Sequence, residues 1–209
     1  EKTPSFTVND EKGFYHCFST SEHGNIFDFI MKTQNLKFGE AVKTLANFAG
    51  MQPYTFSKQD EEREKNWREY KSIYSRYVEK YHDELFKNPS AEAAKNYIKS
   101  RNLTVDEVKK FKIGFVSNNQ NSFEEFSKNF DEKFLKETGL FYFDDKKKKF
   151  IERFKDRIIF PINNISGDPI GLGGRTIKST SYLAKYINSP ETPFFKKGSN
   201  LYNLDRARK

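Results

Sequence analysis

The chain has 209 residues, and its 22 Phe and 11 Tyr supply apolar surface for one large or two modest domains despite 32% charged residues. No apolar run approaches the roughly eighteen residues that cross a bilayer, no amino-terminal leader is visible, and the single cysteine, Cys17, excludes an internal disulfide; a soluble globular protein of the cytoplasm is expected. The net charge of +8 is uneven: residues 144–209 hold 15 Lys+Arg against 7 Asp+Glu, which from totals of 37 and 29 leaves 22 against 22 for residues 1–143, so the whole excess lies in the last third, as a footprint for a polyanion would.

In chain order, Phe6-Thr7-Val8 and Phe14-Tyr15-His16-Cys17-Phe18 flank Asn9-Asp10-Glu11-Lys12-Gly13, which predicts a hairpin with a turn-forming Asn-Asp and a Gly. Gly24-Asn25 starts a short helix over 26–33. That helix and a second over about 38–49, stopped by Gly50, place Phe29, Ile30, Ala41, Leu45 and Phe48 on one side. Phe6, Phe14, Phe18, Phe29 and Phe48 are the expected core of this unit, which ends near Pro53.

From 59 to 87 the chain is charged, yet Trp67, Tyr70, Tyr74, Tyr77, Tyr81 and Leu85 recur at three- and four-residue steps, the period of one long amphipathic helix. Such a stripe reads as a packing face rather than a stacking surface for bases. Asn88-Pro89-Ser90 breaks it. A helix over 91–100, a capping box at Thr104 with Glu107, a helix begun by Ser122 with Glu125 and a last helix closed by Gly139 make the middle helical. Beyond Asp144 the pattern turns strand-like, with predicted strands at 157–162, 169–173 and 182–187, joined by Asn163-Asn164 with Gly167-Asp168 and by a polar loop around Ser179. The expected class is α+β: a hairpin-and-helix module over 1–53, a linker over 54–61, and over 62–209 a helical middle followed by a mixed or antiparallel β subdomain.

Arg153, Lys155 and Arg157 alternate into a strand and would line one groove, where planar guanidinium groups suit phosphate oxygens. The run Lys146-Lys147-Lys148-Lys149, beside two aspartates, reads as a solvated tip. In Gly171-Leu172-Gly173-Gly174-Arg175 the glycines mark tight packing or let a nucleotide or template backbone come close, with Arg175 supplying charge-assisted hydrogen bonds. In Lys185-Tyr186-Ile187-Asn188 the lysine offers a point charge, the tyrosine an aromatic plane and the asparagine a donor and an acceptor. Lys185 and Asn188 would face opposite ways on an ideal strand, and Ser189-Pro190 is the expected bend. Cys17 ends a strand in His16-Cys17-Phe18-Ser19-Thr20, as a buried thiol or a metal ligand, with His16 pointing to the opposite face.

Taken in this order, Arg153-Phe154-Lys155-Asp156-Arg157, the run Ile158-Ile159-Phe160-Pro161-Ile162, Gly171 to Arg175, Lys185 to Thr192, Phe195-Lys196-Lys197-Gly198 and Leu201-Tyr202-Asn203-Leu204 closely resemble the bacterial replicative DNA primase family. The resemblance covers nearly the whole chain. It implies that residues 1–53 are a zinc-ribbon-like, template-reading module and that residues from about 62 form the amino-terminal part of the RNA polymerase core. It also implies that Cys17 opens a Cys-x-x-Cys pair of a tetrahedral zinc site, whose Cys-x-x-His half lies just before Glu1-Lys2-Thr3-Pro4-Ser5-Phe6. Thr20 stands where the last cysteine belongs, and a hydroxyl that stays protonated near neutral pH is a poor substitute for thiolate, so zinc is expected to be weak or absent.

The same resemblance implies that Arg153, Lys155, Arg157, Arg175, Lys185, Tyr186 and Asn188 meet template and incoming nucleotide. The parent protein would be a DNA-directed RNA polymerase making short RNA primers on single-stranded DNA from ribonucleoside triphosphates. Mg or Mn would be held by carboxylates downstream of this segment, and a replicative helicase would dock through a region outside it. On this reading the segment binds rather than catalyses. A non-catalytic single-stranded DNA binding module and the primase half of a phage-type primase-helicase are the alternatives.

Overall fold

A computed structural model describes residues 4–52, 57–119, 121–178 and 183–207. The expected boundary at Pro53, the first part of the linker, Ser179 and residue 182 lie outside them. The chain divides into two compact units, Glu1–Glu61 and Glu62–Lys209.

In the first unit, β1 (Phe6–Asn9) and β2 (Phe14–Cys17) form the predicted hairpin, with Phe6 opposite Cys17 and Asn9 opposite Phe14. Its turn follows from its residues: Asn9 Oδ1 accepts the Lys12 amide at 2.9 Å, and Gly13 takes a φ of +63°. A third strand, β3 (His23–Asn25), pairs with β2 and was not predicted, because His-Gly-Asn carries no alternating pattern. Asn25 caps α1 (Ile26–Gln34) in a reciprocal box with Asp28, and α2 (Phe38–Phe48) follows.

The expected core of this unit is corrected. Phe6, Phe14, Phe18 and Phe48 are 44%, 43%, 69% and 91% exposed. Among the unit's described residues the buried hydrophobic side chains are Tyr15 and Ala41. Three short strands and two short helices do not supply enough layers to cover both faces of the sheet, as is common for units of this size.

The second unit is built on α3 (Lys58–Lys87), which starts inside the expected linker because Ser57 and Asp60 exchange hydrogen bonds, Ser57 N to Asp60 Oδ2 at 3.0 Å and Asp60 N to Ser57 Oγ at 3.2 Å. Its tyrosine stripe is a packing face, as predicted: Tyr70, Tyr74, Tyr77, Tyr81 and Leu85 are each at most 2% exposed. Their hydroxyls are satisfied inside, Tyr70 by Glu137 at 3.0 Å, Tyr74 by the Thr138 carbonyl at 2.6 Å, and Tyr77 by Glu152 Oε2 at 2.6 Å. Tyr81 donates to Glu152 Oε1.

A short 3₁₀ turn leads to α4 (Glu92–Ser100) and α5 (Val105–Lys110), whose predicted Thr104–Glu107 box forms. The helical middle is interrupted by β4 (Gly114–Val116), where a side chain on Gly114 would meet the Tyr81 carbonyl carbon of α3 at 2.7 Å. Ser122 does not cap α6 (Phe123–Ser127). Its amide and hydroxyl both donate to Glu152 Oε1, at 3.0 and 2.5 Å. After α7 (Glu132–Glu137), β5 (Phe141–Asp144) and β6 (Lys149–Glu152) form a separate hairpin.

The main sheet is antiparallel in the order β4-β7-β8-β9, with β7 (Arg157–Asn163), β8 (Pro169–Thr176) and β9 (Tyr186–Asn188). One face, with Ile159 and Leu172, joins the tyrosine core and Phe154; Ile158 on the other packs with Leu85, Ala94 and Ile98. The chain closes on α8 (Leu204–Ala207). No helix among the described residues is long and apolar enough to cross a membrane.

Gly174 and Gly173 separate the two meanings of the glycine motif. A Cβ on Gly174 would overlap the fully buried Phe154 ring, whereas one on Gly173 would meet Asn188 Oδ1 at 3.5 Å, ordinary contact. Gly174→Ala is expected to cost about 1–3 kcal/mol in urea denaturation and Gly173→Ala little; equal losses would contradict the packing assignment.

Candidate nucleic-acid interface

Pairing of β8 with β9 sets Arg175 opposite Tyr186 and Gly173 opposite Asn188. Residues two apart share a face, so these four form one patch on the free-edge side of the sheet. From α4, the Tyr97 ring lies 3.8 Å from the Arg175 guanidinium, and the Tyr186 ring lies 5.9 Å away on the strand side. Arg175 is thus packed on one aromatic ring and within cation–π range of a second. Arg175 Nη1 donates to the Thr176 carbonyl at 2.6 Å, while its buried Nε has no partner among the described residues. One turn along α4, Arg101 Nε donates to the Tyr97 hydroxyl at 2.6 Å. Tyr186 is 62% exposed. Beside it opens a cleft of about 510 Å³, lined by Gly173, Asn188, Lys197, Asn200 and Tyr202. The patch therefore offers exposed aromatic planes, amides that donate and accept, and fixed cations.

The structure places the predicted residues differently from their spacing. Arg153 to Asp156 form a turn, with Asp156 at a φ of +55°, and β7 begins only at Arg157, so Arg153, Lys155 and Arg157 do not line one strand face. Arg153 Nε donates to the Gly139 carbonyl at 2.5 Å, and Lys155 is half-buried in the turn. Arg157 pairs with Thr176, whereas Arg175 pairs with Ile158, so the two arginines occupy opposite faces of the sheet.

Arg157 is 6% exposed. It donates to the carbonyls of Ala184, at 2.9 Å, and of Gly174 and Lys185, each at 3.4 Å. Burial lowers its pKa. Arg157 thus positions the segment that presents Lys185 and Tyr186. The expected bend at Ser189-Pro190 is also corrected: Ser189 follows Asn188, stays bonded to Leu172, and leaves Asn188 on the face of Tyr186 rather than with Lys185. Tyr97 and Arg101 were missed. Their i, i+4 spacing was visible, but nothing local announced that this helix face meets β8.

In the first unit, Cys17 Sγ lies 3.2 Å from Ser19 Oγ. Hydrogen bonds from Ser19 and then Thr20 lower the Cys17 pKa to about 6. The His16 and His23 rings stack at 6.0 Å, and strand alternation turns His16 away from Cys17. Among the described residues no three His, Cys, Asp or Glu groups come together as a metal set. Of Cys17, Ser19 and Thr20, Cys17 alone could supply a thiolate ligand to tetrahedral zinc.

Residues 1–62 match the CHC2 zinc finger family and residues 80–208 match the DNA primase catalytic core, N-terminal domain. The class is therefore a zinc-finger-type module joined to the amino-terminal domain of a primase core. The chain belongs to the DNA primase family. Over 98% of its length it is 40% identical to the DNA primase of Buchnera aphidicola subsp. Baizongia pistaciae, and over its whole length 35% identical to that of Salmonella typhimurium. It spans 35% and 36% of those relatives, about a third of their length. It is similar to a DnaG primase catalytic domain solved bound to single-stranded DNA, with a TM-score of 0.61 and 30% identity over 68% of this chain and 44% of that one. The Aquifex aeolicus primase, solved as its zinc-binding and RNA polymerase domains, matches all of this chain and 49% of its own, with a TM-score of 0.58 and 29% identity.

Proposed function

We propose that this chain is the template- and nucleotide-contacting part of a cytoplasmic DNA-directed RNA polymerase that makes short RNA primers on single-stranded DNA. The observation that carries the reading is Arg175, held against Tyr97 beside the exposed Tyr186 and Asn188. Phosphate oxygens would take the outer guanidinium N–H groups of Arg175 and the Lys185 ammonium, and a base or ribose would lie on the exposed Tyr186 ring. Asn188, on the same face, would hydrogen-bond the base or sugar edge. The family membership and the relative solved with single-stranded DNA support the same partner.

Nucleotidyl transfer also requires a divalent ion, Mg or Mn, to stabilise the developing charge on the transferred phosphoryl group. No residue described in this chain is assigned to hold it. This chain's residues bind and orient; ribonucleoside triphosphates are the expected second ligand, and a replicative helicase would be met elsewhere in the parent protein. The departure at Thr20 favours one other reading, a binding module without catalysis, which primer synthesis by the full-length protein would exclude.

The test is fluorescence anisotropy with labelled single-stranded DNA across a salt series. Lys185→Ala is expected to weaken binding about tenfold and to flatten the slope of log affinity against log salt by about 0.7, the value for one phosphate contact on a single strand. Unchanged affinity at low salt would overturn the assignment.

A further inference from the structure

The hairpin of β5 and β6 is not used by the site above, and its base adjoins Pro190, two residues past Asn188. Arg153, just past β6, donates to the Gly139 carbonyl, and Gly139, at a φ of +68°, lies hard against Pro190, which ends the Tyr186 strand segment. The register sets Tyr142 opposite Ile151 and Asp144 opposite Lys149, so Tyr142 and Lys149 share one face of the hairpin. Phe141 and Phe150, on the other face, pack into the core. The Arg153 guanidinium lies 5.7 Å from the Tyr142 ring. Arg153, Tyr142 and Lys149 therefore succeed one another from the base outward, and Tyr142 is 41% exposed.

The tip adds three more cations. Asp144 Oδ1 accepts the amides of Lys146 and Lys147, at 3.0 and 3.1 Å, so its carboxylate is engaged by the turn itself. Residues 145–149 are exposed, and none of the ammonium groups from Lys146 to Lys149 forms an ion pair among the described residues. Lys148 stands at a φ of +50°, where Gly or Asn would cost less. Four exposed cations beside Asp145, leading away from an aromatic ring, offer the two kinds of contact, phosphate and base, that a polynucleotide strand presents.

We propose that the β5–β6 hairpin is a second contact for single-stranded nucleic acid, separate from the Arg175–Tyr186 patch and packed against the other face of the sheet, in which Tyr142 stacks a base and Lys146 to Lys149 hold phosphates of a strand long enough to reach past that patch. The proposal rests on the reading of the patch as a nucleic-acid interface. It makes affinity depend on strand length: a short oligonucleotide fills the patch alone, and a longer one reaches the hairpin.

The experiment compares single strands of about 8 and about 24 nucleotides, lengths either side of one ordinary single-strand site. The proteins are wild type, the quadruple Lys146→Gln, Lys147→Gln, Lys148→Gln, Lys149→Gln variant, Tyr142→Ala, Tyr142→Phe and Lys185→Ala. The quadruple variant and Tyr142→Ala, the latter without change of charge, should bind the long strand about tenfold more weakly and the short strand within about twofold of wild type. Tyr142→Phe, which keeps the ring, should match wild type on both, which shows that the ring and not the hydroxyl makes the contact. Hairpin variants that bind the long strand as wild type does, or that lose both lengths equally, overturn the proposal. If Lys185→Ala changes neither length while the hairpin variants weaken the long one, the patch reading fails and the hairpin contact stands.

Discussion

Replacing Glu152 by alanine is expected to cost about 3–5 kcal/mol of stability in urea denaturation, the largest single loss in the molecule. Glu152 is 1% exposed and accepts from the Tyr77 and Tyr81 hydroxyls and from the Ser122 amide and hydroxyl. Removing the carboxylate leaves these buried donors without a partner and opens a cavity between α3 and the β5–β6 hairpin. Glu152→Gln keeps the volume but aims an amide NH₂ at groups that already donate, so about half the loss should return. A change below about 1 kcal/mol for the alanine variant would show that the network does not bear on stability.

The same residue predicts a pH dependence. Burial raises the Glu152 pKa above its ordinary value of 4.5, and the hydrogen bonds of Ser122, Tyr77 and Tyr81 only partly oppose that rise. Between the ordinary and the folded value the native state binds more protons than the unfolded chain. The contribution of Glu152 is therefore full below about pH 4.5 and fades as pH climbs through the folded value. Relative to Glu152→Gln, the wild type should lose stability over that rise, and parallel curves would show that the carboxyl titrates normally.

Arg175→Ala is expected to weaken single-stranded DNA binding at least thirtyfold at low salt, more than Lys185→Ala, because it removes a phosphate donor and the cation packed against Tyr97 together. Arg175→Lys distinguishes the two effects. A lysine restores the charge and hence the salt slope, but it lacks the planar fork that lies on the Tyr97 ring, so affinity should recover only in part. The cost to folding should be about 1 kcal/mol, the worth of one cation–aromatic contact. Equal affinity of wild type and Arg175→Ala would remove Arg175 from the interface.

Much of the local structure was legible because its causes are local. The hairpin turn at Asn9 to Gly13, the Asn25 and Thr104 caps and the tyrosine stripe of α3 each follow from residues within a few positions of one another. The α+β class and the cation-rich, aromatic character of the last third were equally readable, since pattern and charge sum along the chain. Spacing misled where a turn replaced a strand. Arg153, Lys155 and Arg157 looked like one groove lining, but the left-handed Asp156 starts β7 only at Arg157, and that residue is spent on three backbone carbonyls.

By itself the sequence determined most element types, though not β3 or β4, together with the family resemblance and the residues from which a polyanion site would be drawn, because propensity, capping and composition act over short stretches. Only the tertiary structure decided which of those residues stand together. Register across β7, β8 and β9 sends Arg157 and Arg175 to opposite faces, α4 brings Tyr97 onto Arg175, and Ser122 leaves its helix end for a carboxylate 30 residues away. The physical reason is that side-chain direction alternates along a strand, so strand starts and pairing registers, set by contacts between distant segments, choose the partners of every functional group.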